Sequence, residues 1–395
     1  MTESNQNKLV SFDGSKAAIN AALGSPEPKP GELEAMRDGM GSLVDLLTYC
    51  RAHGSEGEAD FVRLWLLPRL RKLGVEPELD GFGNIWVYKA QPGARSHDFL
   101  WSCHVDTVHA QGKKRQGVVW DADGRTLKLA KRKAGHCLGA DDGAGVWLML
   151  QMLEAGVPGG YVFHRGEECG RLGSTYVHDS EPERLGGWEA CIAFDRRDYR
   201  DIITHQMGQR CASDSFASTF SFALNQTGQG LKYVGDDTGS YTDSYTYADT
   251  ISECCNVSVG YDSEHGPRET LDALHLWRLR NAVVSADFSG VICERDPSTF
   301  DEWDYYGGYG GGWGRVGGGS RTGAAAWGNE REPDSESETL LELVRRFPAA
   351  TVELLGVYGL RSDDLLDHLS PSELTSALGM LGDDNEDLAW SNGAM

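Results

Sequence analysis

The sequence predicts an α/β domain, a mixed and mainly parallel sheet flanked by helices, with a small C-terminal helical module after it. Three observations predict this. Strand-length apolar runs alternate with helix-period segments between residues 41 and 298. The segment Ala144–Glu154 is apolar on nearly every side, which marks a buried helix. A tract rich in glycine and aromatics, about residues 303–328, then precedes a second stretch of apolar periodicity.

The elements follow in order. Residues 1–40 are polar, are broken by Pro26-Glu27-Pro28-Lys29-Pro30, and read as a flexible leader. Leu43, Leu46 and Leu47 share one helical face. Phe61, Leu64, Leu67 and Leu70 share another, with Pro68 set to kink or divide that helix. Strand patterns follow at Asn84–Tyr88 and Phe99–Cys103, and after the buried helix at Tyr161–His164, Ala190–Phe194 and Val257–Tyr261. Residues 299–334 form the linker. Residues 335–382 read as three or four helices, with a capping box at Ser370 and Glu373, and 383–395 as an acidic tail.

Composition narrows the function. The net charge of -23 disfavours nucleic acid and anionic lipid as main partners. The basic run Lys113-Lys114-Arg115 is short and reads as a solvated loop. No apolar run reaches the roughly 18–20 residues that a membrane helix needs. The polar N-terminus lacks a signal-peptide core, and nine scattered cysteines without a CxxC pair suit reduced thiols, so a cytoplasmic location is expected.

Five segments carry the chemistry. In Ser102-Cys103-His104-Val105-Asp106, His104 ends an apolar strand. Asp106, two residues on, points to the same side, where its carboxylate can accept the imidazole's other N–H and set the metal-binding tautomer. Gly139-Ala140-Asp141-Asp142-Gly143-Ala144-Gly145 opens the buried helix with two carboxylates among small residues that permit close backbone approach. Gly166-Glu167-Glu168 follows a strand. Its carboxylates point apart in extended chain, so one can bind metal while the other faces a reacting water. Asp195 ends the apolar strand Cys191–Phe194, and His265 follows Asn256-Val257-Ser258-Val259-Gly260-Tyr261, with Glu269 shortly after. Together these place candidate ligands at the C-terminal edges of sheet strands, where open α/β sheets build their sites. Three carboxylates and two neutral imidazoles balance two divalent cations and one hydroxide. Nitrogen and carboxylate donors without thiolate suit two zinc ions per chain, with manganese or cobalt as alternatives.

The order His-x-Asp, Asp-Asp-Gly, Glu-Glu, Asp, His resembles the di-zinc exopeptidases, and Asn256-x-Ser258-x-Gly260-Tyr261-x-x-x-His265 is similar to their bacterial leucyl-aminopeptidase-like branch. The resemblance covers about residues 40–295. It implies that His104 and Asp195 hold one metal, that Glu168 and His265 hold the other, and that Asp141 bridges them, with Asp142 as the fallback. It also implies that Asp106 orients His104, and that Glu167 is the general base for a metal-bridging hydroxide. Thr242-Asp243-Ser244 resembles the family's Ser/Thr-Asp element beside the substrate pocket. Only 70 positions separate Asp195 from His265, too few for the lid domain that the carboxypeptidase-like relatives insert there, so none is expected. The expected function is therefore a metallo-exopeptidase acting on peptides, with aminopeptidase chemistry first. A related carboxypeptidase, dipeptidase or N-acyl amino-acid deacylase is the first alternative, and a non-catalytic binding scaffold the second. The C-terminal module is the expected place for a protein partner or self-association.

Overall fold

The computed structural model describes residues 26–89, 98–133 and 136–300. In chain order its strands are β1 (Glu78–Leu79), β2 (Ile85–Lys89), β3 (Phe99–His104), β4 (Val118–Trp120), β5 (Thr126–Leu129), β6 (Gly159–His164) and β7 (Ala190–Arg196). They continue with β8 (Asp201–Ile203), β9 (His205–Gln206), β10 (Gln209–Arg210), β11 (Val234–Asp236), β12 (Glu253–Ser258), β13 (Tyr261–Asp262) and β14 (Thr270–Asp272). The α-helices are α1 (Glu32–Gly39), α2 (Gly41–Leu47), α3 (Glu56–Asp60), α4 (Leu67–Lys72), α5 (Ala140–Ala155), α6 (Leu172–Ser180), α7 (Asp214–Asn225) and α8 (Ala273–Ser285).

Eight strands form the main sheet in the order β1-β2-β6-β3-β7-β12-β8-β11. The central run β6-β3-β7-β12 is parallel, while β2 pairs antiparallel with β6, and β8 antiparallel with β12. All six residues of β3 are buried, and so are all six of β12, because helices and loops cover both faces. That is why these strands read as unbroken apolar runs rather than alternating ones. Helix α5 packs on β3 and β7 with one side and on α2 and α8 with the other, which explains its apolar circumference. A second, antiparallel sheet, β13-β14-β5-β4, stands beside the first.

Three expectations need correction. The polar leader does not extend to residue 40. Met36 and Met40 are fully buried, and the buried Arg278 guanidinium binds the Glu32 carboxylate and the carbonyls of Pro26 and Glu27. Leu64 is 54% exposed because Phe61–Leu66 is a π-helix. Its wider turn brings Trp65 and Leu66 inward instead. Pro68 lies in the first turn of the α-helix that follows, where its missing N–H costs no helical bond. The last ligand strand lies earlier, at Glu253–Ser258, and the chain then crosses into the second sheet at Tyr261.

Between Asp195 and His265 the chain builds β8, the β9–β10 hairpin, α7, β11 and β12, three of which are main-sheet strands, so no lid domain is inserted there. Among the described residues no helix is long and apolar enough to cross a membrane. Nearly all of the expected linker, and the whole of the helical module and acidic tail, lie outside the described residues.

Candidate metal centre

The five expected ligands arrive from different elements and meet at one point. His104 is the last residue of β3, Asp141 lies in the first turn of α5, and Asp195 lies near the end of β7. Glu168 follows β6, and His265 sits in the loop joining β13 to β14. His104, Asp141 and Asp195 form one group of donor atoms able to hold a metal ion, and Asp141, Glu168 and His265 form a second. Asp141 belongs to both. Its Oδ1 lies 3.0 Å from His104 Nε2, and its Oδ2 lies 3.2 Å from His265 Nε2. Asp195 Oδ1 is 3.4 Å from His104 Nε2, and Glu168 Oε2 is 3.1 Å from His265 Nε2. The His104 side chain is 1% exposed and that of His265 is 53% exposed, so the second group faces the solvent side.

Small residues permit this convergence. A Cβ at Gly145 would stand 2.5 Å from the Phe194 carbonyl oxygen, so only glycine lets α5 approach β7 closely enough to bring Asp141 beside Asp195. Asp142 turns away from the donor groups. Its carboxylate accepts the backbone N–H of His104 at 3.2 Å and of Gly145 at 2.8 Å, so the fallback ligand is instead a brace between β3 and α5.

Asp106 behaves differently from expectation. His104 Nδ1 lies 3.2 Å from the Asp106 backbone carbonyl, while the carboxylate stands 3.7 Å away. The tautomer with Nε2 free toward the acidic residues is therefore held by the main chain. The Asp106 carboxylate instead accepts the N–H groups of Gly166, Glu167 and Glu168 at 2.8, 3.2 and 3.3 Å, fixing the loop that carries both glutamates.

The neighbours of Asp195 were only partly legible. Thr242 Oγ1 donates to Asp195 Oδ2 at 2.6 Å, and the Tyr261 hydroxyl donates to Oδ1 at 3.1 Å. The Asn256 amide pairs with both the N–H and the carbonyl of Asp195, at 2.9 and 2.8 Å. The motif around Asn256 and Tyr261 thus presents Asp195 to the site. Its sequence signal was visible as a pattern, but its partner was not.

Burial and charge oppose each other throughout. Burial lowers the proton affinity of both imidazoles, yet the carboxylates outweigh it. His104 is held well above the ordinary histidine range by Asp195, Asp106 and Asp141, and His265 is pushed up to about 12 by Asp141 and Glu168. Burial, then the charge of Asp141, raises Asp195 to about 6 and Glu168 to about 7. Glu167 is half-buried, and its carboxyl is held well above the ordinary range, first by burial and then by Asp195, Asp243 and Glu168. Glu168 Oε1 is buried without a hydrogen-bond partner. A cluster that otherwise needs protons to stay neutral, and that keeps an orphaned carboxylate oxygen, fits divalent cations.

A serine-hydrolase reading of the nearby Ser102, His164 and Asp243 fails on geometry. Ser102 Oγ and Asp243 Oδ2 face the same ring nitrogen, Nδ1, at 3.2 and 3.3 Å, Nε2 bonds Tyr247, and all of them are buried.

The same fold occurs in solved structures. The aminopeptidase PepT from Bacillus cereus aligns over 64% of this chain and 97% of its own, with 14% identity and a TM-score of 0.51. A tripeptidase from Staphylococcus aureus aligns over 63% of this chain and 96% of its own, with 13% identity and a TM-score of 0.52. The chain shares the fold of these two proteins. No model of a known protein family matches the sequence, and no curated protein does. At these identities the likeness to the exopeptidases is one of fold, so what the site does has to be argued from its own side chains.

Proposed function

We propose that this chain is a two-metal exopeptidase, an aminopeptidase first, that hydrolyses the N-terminal peptide bond of peptides. The observation that carries this reading is Asp141, whose two carboxylate oxygens each face a different histidine. His104 and Asp195 would hold one ion, Glu168 and His265 the other, and Asp141 both. The donor set suits zinc. Bound there, the ions would polarise the peptide carbonyl and acidify a water.

The remaining work belongs to the chain. Glu167 takes the water's proton and delivers it to the leaving amine. The Asp106 carboxylate fixes the Glu167 backbone, so the base approaches from a rigid loop. Thr242 and Tyr261 hold the Asp195 carboxylate, and the Asp106 carbonyl holds the His104 ring. All nine cysteines are free thiols, which supports a reducing, cytoplasmic setting.

The test is hydrolysis of a matched panel of free-amino and N-acetylated peptides by zinc-loaded protein, beside Glu167→Gln. Cleavage confined to the free-amino set, reduced about 10²–10⁴-fold in the variant with its metals retained, is the expected result. Cleavage of the blocked set moves the reading to a deacylase or carboxypeptidase. A fully active variant removes Glu167 from the role of base.

A further inference from the structure

One buried carboxylate near the site takes no part in the scheme above. Glu269 is 1% exposed, and its side chain accepts three backbone N–H groups, from Gly139 at 3.0 Å, Ala140 at 2.7 Å and Asp141 at 3.1 Å. These three amides open α5, where no helical partner exists for them. From the other side, Arg51, fully buried, donates to the Gly139 carbonyl at 2.9 Å and to the Val105 carbonyl at 2.8 Å. One turn is therefore gripped by an anion from the His265 loop and by a cation bonded to the His104–Asp106 segment.

Glu269 lies four residues after His265, at the end of the same loop. The loop's ends are paired as β13 and β14, but little else holds the stretch between them. Ser263 and His265 both take positive φ, 55° and 63°, and the Arg197–Glu264 ion pair at 3.1 Å involves an arginine that is 44% exposed. An ion pair at the surface fixes a loop weakly. Three charge-assisted bonds from a buried carboxylate fix it strongly. Asp141 and His265, two of the three side chains in the solvent-side donor group, are thus joined through Glu269 before any ion arrives.

We propose that Glu269 is a positioning residue that sets the affinity of the solvent-side metal position, by locking the His265 loop to the turn that carries Asp141. This rests on the two-metal reading. Its consequence is asymmetric. Asp195 and His104 are held by Thr242, Tyr261, Asn256 and the Asp106 carbonyl, and Arg51 still grips the turn that carries Asp141, so the inner position depends on Glu269 less than the solvent-side one, which also needs the His265 loop.

The test is zinc release. Wild-type protein and Glu269→Gln are loaded with zinc and titrated with a chelator, and the ions remaining per chain are counted. The glutamine keeps one acceptor oxygen but turns an N–H toward the backbone donors. The expected result is loss of one ion at a free-zinc level about 10–100-fold higher than in wild type, with the other ion shifted much less and the circular dichroism of the metal-free chain unchanged. Release of both ions as in wild type, or of both together from a folded chain, overturns the proposal. If the variant does not fold, hydrogen exchange on metal-free wild type decides. Slow exchange of the Gly139, Ala140 and Asp141 amides supports the lock, and exchange at open-chain rates overturns it. A wild-type chain that never holds two ions counts against the two-metal reading itself, whereas two ions with an unaltered variant count against Glu269 alone.

Discussion

Asp106 is the residue whose substitution separates two physical roles. If its carboxylate works by charge on His104, at 3.7 Å, then Asp106→Asn and Asp106→Ala should be equally harmful, since both remove the charge. The hydrogen bonds argue otherwise. Three N–H groups of the Gly166–Glu168 loop end on this carboxylate, and a bond to a charged acceptor contributes about 1.5–3 kcal/mol. Asparagine keeps an oxygen for the two shorter bonds and loses the longest, to Glu168. The expected cost is at most one bond, about 10–10²-fold in kcat. Alanine frees the loop. A base displaced by about 1 Å costs around 10²-fold, so the expected loss is about 10²–10³. The assay is steady-state hydrolysis of a free-amino peptide by zinc-loaded variants, with metal content measured on the same samples. Equal losses in the two variants would refute the loop-holding argument.

Three further outcomes are expected. Gly145→Ala places a methyl 2.5 Å from the Phe194 carbonyl oxygen and should cost about 1–3 kcal/mol in denaturant unfolding; a change within error of zero would show that α5 and β7 are not tightly apposed. Zinc loading near neutral pH should release at least two protons per chain. His104 and His265 are both held protonated without metal, so zinc affinity should rise with pH through neutrality and fall in acid. Calorimetry in buffers of different ionisation enthalpy measures this, and the absence of release would contradict the charge assignment. Trp101→Ala should destabilise by about 3–5 kcal/mol, since this ring is buried and stacks on Phe194, and a thermal melt matching wild type would exclude that packing role.

How much of this was legible depended on the reach of each interaction. Strands β3, β7 and β6 announced themselves because parallel strands covered on both faces are continuous apolar runs, and His104, Asp195 and the glutamate pair could be read at their ends. Helix α5 was legible for the same reason. The π-helix was not, because Phe61, Leu64, Leu67 and Leu70 fit a 3.6-residue period that the backbone does not follow. The supporting contacts were hidden more deeply. Glu269 meets Asp141 across 128 positions, and Arg51 meets Gly139 across 88, and a pairing so distant leaves no periodic trace. Asp106 was noticed for its spacing from His104, but its true partners lie about sixty residues on.

The central claim is that five side chains form one site for two ions sharing Asp141. Metal counting on zinc-loaded, dialysed protein tests it most directly, with wild type beside Asp141→Ala. The account predicts two ions per chain in wild type and loss of both positions in the variant, because its carboxylate serves both donor groups. A wild-type chain that holds only one ion or none, or an Asp141→Ala chain still holding two, would contradict it.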